Sequence, residues 1–183
     1  GWNVSSVVQK IISRSHKSTL LIRAYDSRGT KSDKIHYQRL FVGLDCSARA
    51  ELVMSVAMRL AQFYKASFTV GTVVPKPEIV SRFPLSSEDA EMIDRIAERN
   101  QKAASHYLEQ IQSQYAQAGI DLKTNLVVSE NPTTALHKMV EEEQSDMVIL
   151  AAHGHTGDAR WPYGNVTASF IAYGNTSLFI MQD

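Results

Sequence analysis

Two short clusters in this 183-residue chain have the residue types and spacing to hold an anion. Ala151-Ala152-His153-Gly154 is followed, after nine residues, by Gly164-Asn165-Val166-Thr167. Together they read as an apolar strand entering a glycine-bearing loop, with a short helix beginning at the second glycine. Successive backbone N–H groups in such a loop form a concave nest, and the unpaired N–H groups of a helix start add partial positive charge. Phosphate is the natural ligand, although the same spacing also serves as a plain turn. His153 and His155 flank Gly154 and raise the question of a metal. With no carboxylate or cysteine at suitable spacing, a loop-ordering hydrogen bond for one and a phosphate contact for the other is the better reading. Asp158 and Arg160 face phosphate or, more simply, solvent, and Trp161-Pro162-Tyr163 reads as loop packing against a partner or the core rather than base stacking.

The elements that must position these clusters follow from pattern. Arg39 to Asp45, Ser67 to Val74, Ile120 to Val128, Met147 to Ala151 and Ser177 to Met181 are apolar runs suited to covered strands. Between them lie helical patterns. Ser47 caps a helix with a stripe of Leu52, Val56, Leu60 and Tyr64, flanked by Val53, Ala57 and Ala61. The longest helix spans Glu88 to Ala118, with Ile93, Ile96, Ala97, Ala104, Tyr107, Leu108, Ile111 and Tyr115 inward and Gly119 just past its end. Asn131-Pro132 is a cap followed by proline at the first helical position of a helix running to about Gln144, and Val166 to Tyr173 is the last helix. Regular alternation makes this an α/β chain: an open, doubly wound, Rossmann-like five-stranded parallel sheet of order 3-2-1-4-5, with ligands beyond the carboxyl strand ends where the order reverses.

Residues 1–24 stand outside that sheet. Shifted by 159 positions, the segment lays Trp2 on Trp161, Ser6 on Asn165, Val7 on Val166, Ile11 on Phe170, Ile12 on Ile171, Leu20 on Phe179 and Leu21 on Ile180. The tail of a preceding copy of the same domain explains the shared register better than an ordinary helix-strand decoration. Residues 25–36 then form a polar linker and residues 37–183 the domain itself. Thr19 to Arg23 is expected antiparallel beside Leu178 to Met181, because an unpaired apolar edge invites aggregation.

Composition narrows the function. Lys+Arg and Asp+Glu both number 19, so no global basic field collects nucleic acid. The apolar runs are shorter than a membrane span and no charged-then-apolar leader opens the chain, which makes a soluble protein the expectation. The single cysteine, Cys46, suits a reducing compartment, the cytoplasm being the simplest. It reads as a small buried residue rather than a redox-sensitive thiol.

Residues 37–183 resemble a universal stress protein (UspA-like) domain. The likeness runs through Val42-Gly43-Leu44-Asp45-Cys46-Ser47, Val73-Val74-Pro75, the long charged helix, Asn131-Pro132, and Asp146 to Gly154 before the glycine loop. ATP-binding members resemble one another in a motif of Gly, two residues, Gly, nine residues, Gly, then Ser or Thr. Gly154 and Gly164 match its second and third glycines, whereas Ala151 and Asn165 replace the first glycine and the hydroxyl residue. The resemblance implies ATP, with Mg or Mn as companion cation, and a dimer or tandem pseudo-dimer through the final strand. Asp45 would accept from a ribose hydroxyl or the base, and Val73 would line the adenine slot. Ala151, His153, Gly154, His155, Gly164, Asn165, Val166 and Thr167 would surround phosphates and sugar, with Thr167 as hydroxyl donor. Leu44 would either add apolar burial or block the slot. The bland role for Asp45 is to cap the following helix.

Three functions compete. One is a nucleotide-binding regulatory module acting in stress response; another is a nucleotide-free dimerisation module of the same fold. The third, an enzyme, lacks a P-loop Gly-Lys-Ser/Thr, a serine-glycine-glycine pyrophosphate loop and a His-x-Gly-His, leaving slow ATP hydrolysis at most.

Overall fold

Each long apolar run becomes a strand because helices cover the sheet on both faces. The structure, a computed structural model, describes residues 6–23, 36–77, 86–116, 120–154 and 163–182. Its elements are α1 (Ser6–Ser15), β1 (Thr19–Leu21), β2 (Arg39–Gly43), α2 (Ala48–Glu51), α3 (Met54–Tyr64), β3 (Ser67–Pro75), α4 (Ser87–Tyr115), β4 (Leu122–Ser129), α5 (Pro132–Glu142), β5 (Met147–Ala151), α6 (Asn165–Tyr173) and β6 (Ser177–Met181). The sheet runs β1-β6-β5-β2-β3-β4, and β2 to β6 are mutually parallel. Counted from β2, the five parallel strands lie 5-4-1-2-3, the expected order read from the other edge. The order reverses between β2 and β5, whose pairing runs from Leu40 opposite Met147 to Val42 opposite Ile149.

One core lies between the sheet and α2, α3 and α4, built on Leu40, Val42, Met54, Phe68, Val70, Leu108, Ile111 and Ile149. The second lies beneath α1, α5 and α6 and contains Phe41, Val148, Leu150, Leu136, Phe170 and Leu178. Gly71 is required where it stands, because a Cβ there would overlap the Phe41 ring. Asp146 ties the sheet's amino end by accepting from the N–H groups of Gln38 at 2.7 Å and Arg39 at 3.1 Å.

Local chemistry starts the helices as the capping rules require. Asn131 accepts from the Thr134 N–H at 3.0 Å with Pro132 in the first turn of α5, and Ser47 accepts from the Ala50 N–H at 3.1 Å. A capping box of Ser86 and Asp89 begins α4 one residue before the expected Glu88. Gly119 and Trp2 lie outside the described residues, as does residue 24 with most of the expected linker.

Several faces differ from expectation. The helix expected after Ser47 breaks into α2 and α3, and its buried side is Val53, Met54, Ala57, Met58 and Ala61, leaving Leu52 54% exposed. Ile96 is likewise exposed, outside the inward row of α4. In α1 the buried residue is Ile12, while Val7 and Ile11 face outward. Cys46 is exposed, not buried, and adopts a left-handed φ of 63° at the sharp exit from β2.

The N-terminal strand lies where an edge needed cover. Thr19 is opposite Ile180, Leu20 opposite Phe179 and Leu21 opposite Leu178, antiparallel and within the same chain. Leu20 and Phe179 are the two residues that the 159-position shift superposes, so the pairing is centred on them.

Candidate functional site

Parallel strands deliver their carboxyl ends to one edge, and at the switch between β2 and β5 the two exiting loops diverge. From β2 comes Leu44-Asp45-Cys46, and from β5 comes Ala152-His153-Gly154. Asp45 Oδ1 accepts from the Ser47 hydroxyl at 2.6 Å and from its N–H at 3.1 Å, which holds the carboxylate in one orientation. Its Oδ2 is turned toward Gly154, where a Cβ would overlap it. Ser47, not Asp45, caps α2; Asp45 supports that cap through one oxygen, and its other oxygen faces Gly154. The Ser47 link was not foreseen, although serine two residues after aspartate is a common turn pairing.

The start of α6 is docked on the end of β5. Gly164 N–H donates to the Ala152 carbonyl at 2.8 Å, and the Thr167 hydroxyl donates to the Ala151 carbonyl at 2.8 Å. Thr167 is buried, so its proton is committed inside the protein and it does not act as the hydroxyl donor to a ligand. Ala151 is the last residue of β5, its side chain in the core, and it has no positive φ; its methyl therefore adds no backbone strain. Gly164, not Asn165, is the N-cap of α6, and Asn165 is an exposed first helical residue. No side chain caps that helix. The N–H groups of Asn165, Val166 and Thr167 are the orphan donors of its first turn, carrying the positive end of the helix dipole.

The remaining expected residues divide. Val73 is half-buried, paired with Val127 and packed on the second core. Val166 is half-buried against the same core. Leu44 is buried in the first core and donates its N–H to the Gly71 carbonyl at 2.9 Å. His153 is buried and has an interaction partner of its own. His155, Asp158, Arg160, Trp161 and Pro162 lie outside the described residues. Among the described residues no group of three or more His, Cys, Asp and Glu is placed to hold a metal.

Electrostatics discourage nucleophilic chemistry here. Desolvation, first, and the Asp45 carboxylate, second, push the Cys46 thiol up to about 11. The thiolate is scarce at neutral pH. Tyr107, whose hydroxyl donates to Glu51 at 3.3 Å, is raised by burial and then by Glu51.

Two anchors of the loop carry no local sequence signal. The Tyr163 hydroxyl donates to the Ile12 carbonyl in α1 at 2.7 Å, which gives the expected loop packing a definite partner. Arg23 donates through Nη2 to the carbonyls of Phe170 at 3.1 Å and Ile171 at 3.2 Å, and through Nε to that of Thr176 at 3.0 Å. It closes the carboxyl end of α6. Among the described residues no helix is long and apolar enough to cross a membrane.

This architecture has known relatives. A model of the universal stress protein family matches residues 36–181. No curated protein matches the chain. Among solved structures, the chain is similar to the universal stress protein UspA from Lactobacillus plantarum, at 17% identity and a TM-score of 0.70, over 81% of this chain and 99% of that one. It is also similar to a universal stress protein from Archaeoglobus fulgidus in complex with dAMP, at 18% identity and a TM-score of 0.53, over 80% and 98%. A second Archaeoglobus fulgidus universal stress protein is matched at 14% identity and a TM-score of 0.62, over 97% of this chain but 55% of the other.

Proposed function

The chain belongs to the universal stress protein family, and we propose that the junction of β2, β5 and α6 binds an adenine nucleotide, ATP foremost, as a regulatory ligand. The observation that carries this reading is the α6 amino terminus, left without a side-chain cap beside a glycine that Asp45 approaches too closely for any Cβ. The N–H groups of residues 165–167 would meet phosphate oxygens, Asp45 Oδ2 would accept from the ribose or base, and Val73 would flank the adenine. A divalent Mg or Mn would neutralise the phosphates, carried by the nucleotide. The dAMP complex of an Archaeoglobus fulgidus relative supports the ligand class. Micromolar affinity needs about −8 kcal/mol, so apolar contact with the base must add to the phosphate bonds. Nucleotide analysis of acid-denatured purified protein, followed by calorimetric ATP titration, tests the reading. Released adenine nucleotide or micromolar binding is expected; no nucleotide and no heat at millimolar ATP would overturn it.

The reading extends to a regulatory role in stress response, in the reducing cytoplasm that a single cysteine suits. A pseudo-dimer, in which residues 1–24 are the tail of a preceding copy of the domain, accounts for the N-terminal segment. Supporting it are the pairing centred on Leu20 and Phe179 and the correspondence of α1 with α6 under the same shift. The fold likeness over 97% of this chain to a protein of which it spans 55% adds support. A homodimer through β6 would first have to displace β1. The alternative, a nucleotide-free interaction module, draws on the outward-facing Val7, Ile11, Leu20 and Ile22.

A further inference from the structure

The helix that begins at the glycine loop is gripped at both ends by the N-terminal segment. At its start, one residue before the N-cap Gly164, Tyr163 reaches the Ile12 carbonyl at 2.7 Å. At its end, Arg23 spans the carbonyls of Phe170, Ile171 and Thr176. Between those grips the segment is docked by Ile12, 3% exposed, by the β1–β6 ladder, and by the Gln182 N–H donating to Ser18 Oγ at 3.1 Å. Gly164 and Thr167 also tie the α6 start to the end of β5. Helix α6 is therefore held by β5, by α5 through His137 against Ser169 and Phe170, and by a segment far away in sequence.

We propose that Tyr163 and Arg23 are positioning residues through which the docked N-terminal segment sets the orientation of the α6 amino terminus, so that segment docking and nucleotide affinity are coupled. The ligand part rests on the adenine-nucleotide reading above; the mechanical part does not. A helix terminus donates well to a phosphate only when its N–H groups point at the oxygens, and a helix held at both ends loses less freedom on binding than one held at its strand side alone. Linkage makes the effect reciprocal: whatever factor the docked segment adds to nucleotide affinity, nucleotide adds to segment docking. Tyr163 spends its hydroxyl on α1 and Arg23 spends its guanidinium on α6, so neither touches the nucleotide.

The test uses the full chain and the variants Tyr163→Phe and Arg23→Met, which keep ring and stem while removing the donors. Amide hydrogen exchange is followed over α1, β1 and α6 with and without ATP, beside calorimetric ATP titration. Ile93→Val, within α4, controls for general loosening. The expected result without ligand is faster exchange in α6 for both variants and not for the control. With ATP, affinity falls by about five- to tenfold in each variant, and ATP slows exchange in α1 and β1 of the unaltered chain. Unchanged α6 exchange in both variants overturns the brace whether or not ATP binds. Equal ATP affinity in all four proteins, or unchanged α1 and β1 exchange on saturation, overturns the coupling. Failure of the unaltered chain to bind millimolar ATP overturns the nucleotide reading and the coupling with it, while the ligand-free exchange still decides the brace.

Discussion

Gly154 and Asp45 approach so closely that neither can be enlarged alone. A methyl at Gly154 must push the Asp45 carboxylate away, and Ser47, which holds the other oxygen, resists that movement. Gly154→Ala is accordingly expected to weaken ATP binding roughly tenfold or more, about 1.4 kcal/mol, with melting temperature little changed; calorimetry beside thermal unfolding checks both. The neighbouring Thr167 predicts the opposite division. Thr167→Val removes a buried hydroxyl bond to the Ala151 carbonyl, and about 1–2 kcal/mol of stability should be lost in denaturant unfolding. Spacing alone marked Gly154 and Gly164 as candidates, because a glycine loop after a buried strand has a local signature; Asp45 was implied by the family resemblance. It did not reveal that Thr167 faces inward, since that depends on which side of a nine-residue helix lies on the sheet. The left-handed turn at Cys46, which exposes a residue expected to be buried, is equally invisible to composition.

At the scale of elements, the packing of α5 against α6 contains a titratable joint. The His137 ring stacks on Phe170 with centroids 3.8 Å apart and planes 10° apart, and its Nε2 lies 3.0 Å from Ser169 Oγ. Burial lowers its pKa below the ordinary histidine value of 6.5, and Glu141 opposes the shift in part. A histidine whose folded pKa lies below its unfolded value favours folding when neutral. Its contribution is therefore complete above about pH 6.5 and is lost as pH falls through the folded pKa. His137→Gln should flatten the stability profile in that window, read as urea midpoints at successive pH values; an unchanged slope would rule the joint out. Strand positions were readable from sequence because an apolar run bounded by turn residues has one interpretation in an alternating chain. The face of α3 was not. Leu52, Val56, Leu60 and Tyr64 keep helical spacing as well as Val53, Ala57 and Ala61 do, and only the break after Glu51 and the position of the sheet choose between the rows.

For the whole molecule, the question is how the N-terminal segment belongs to the domain. Its pairing with β6 was legible because an apolar edge strand needs cover. The bonds from Tyr163 and Arg23 were not, because contacts 147 to 153 positions apart leave no period in a sequence. Ile12→Ala should cost about 2–4 kcal/mol of docking energy, seen as faster exchange in α1 and β1 while β2, β3 and β5 keep their protection. Loss of protection throughout the sheet would instead make the segment part of one cooperative unit.

The edge that β1 closes has a further consequence when α1 and β1 are regarded as a peptide held by a leash. Residues 24–35 join Arg23 to His36, and a covalent connection of that length presents its peptide at an effective concentration on the order of millimolar. Docking then requires a stand-alone affinity only better than about 4 kcal/mol. Severing the leash at an engineered protease site would make the same contacts concentration-dependent, and dilution would release the peptide and leave β6 as a bare edge. A single cut between residues 24 and 35 would thus convert a self-capped domain into one that can recruit another strand.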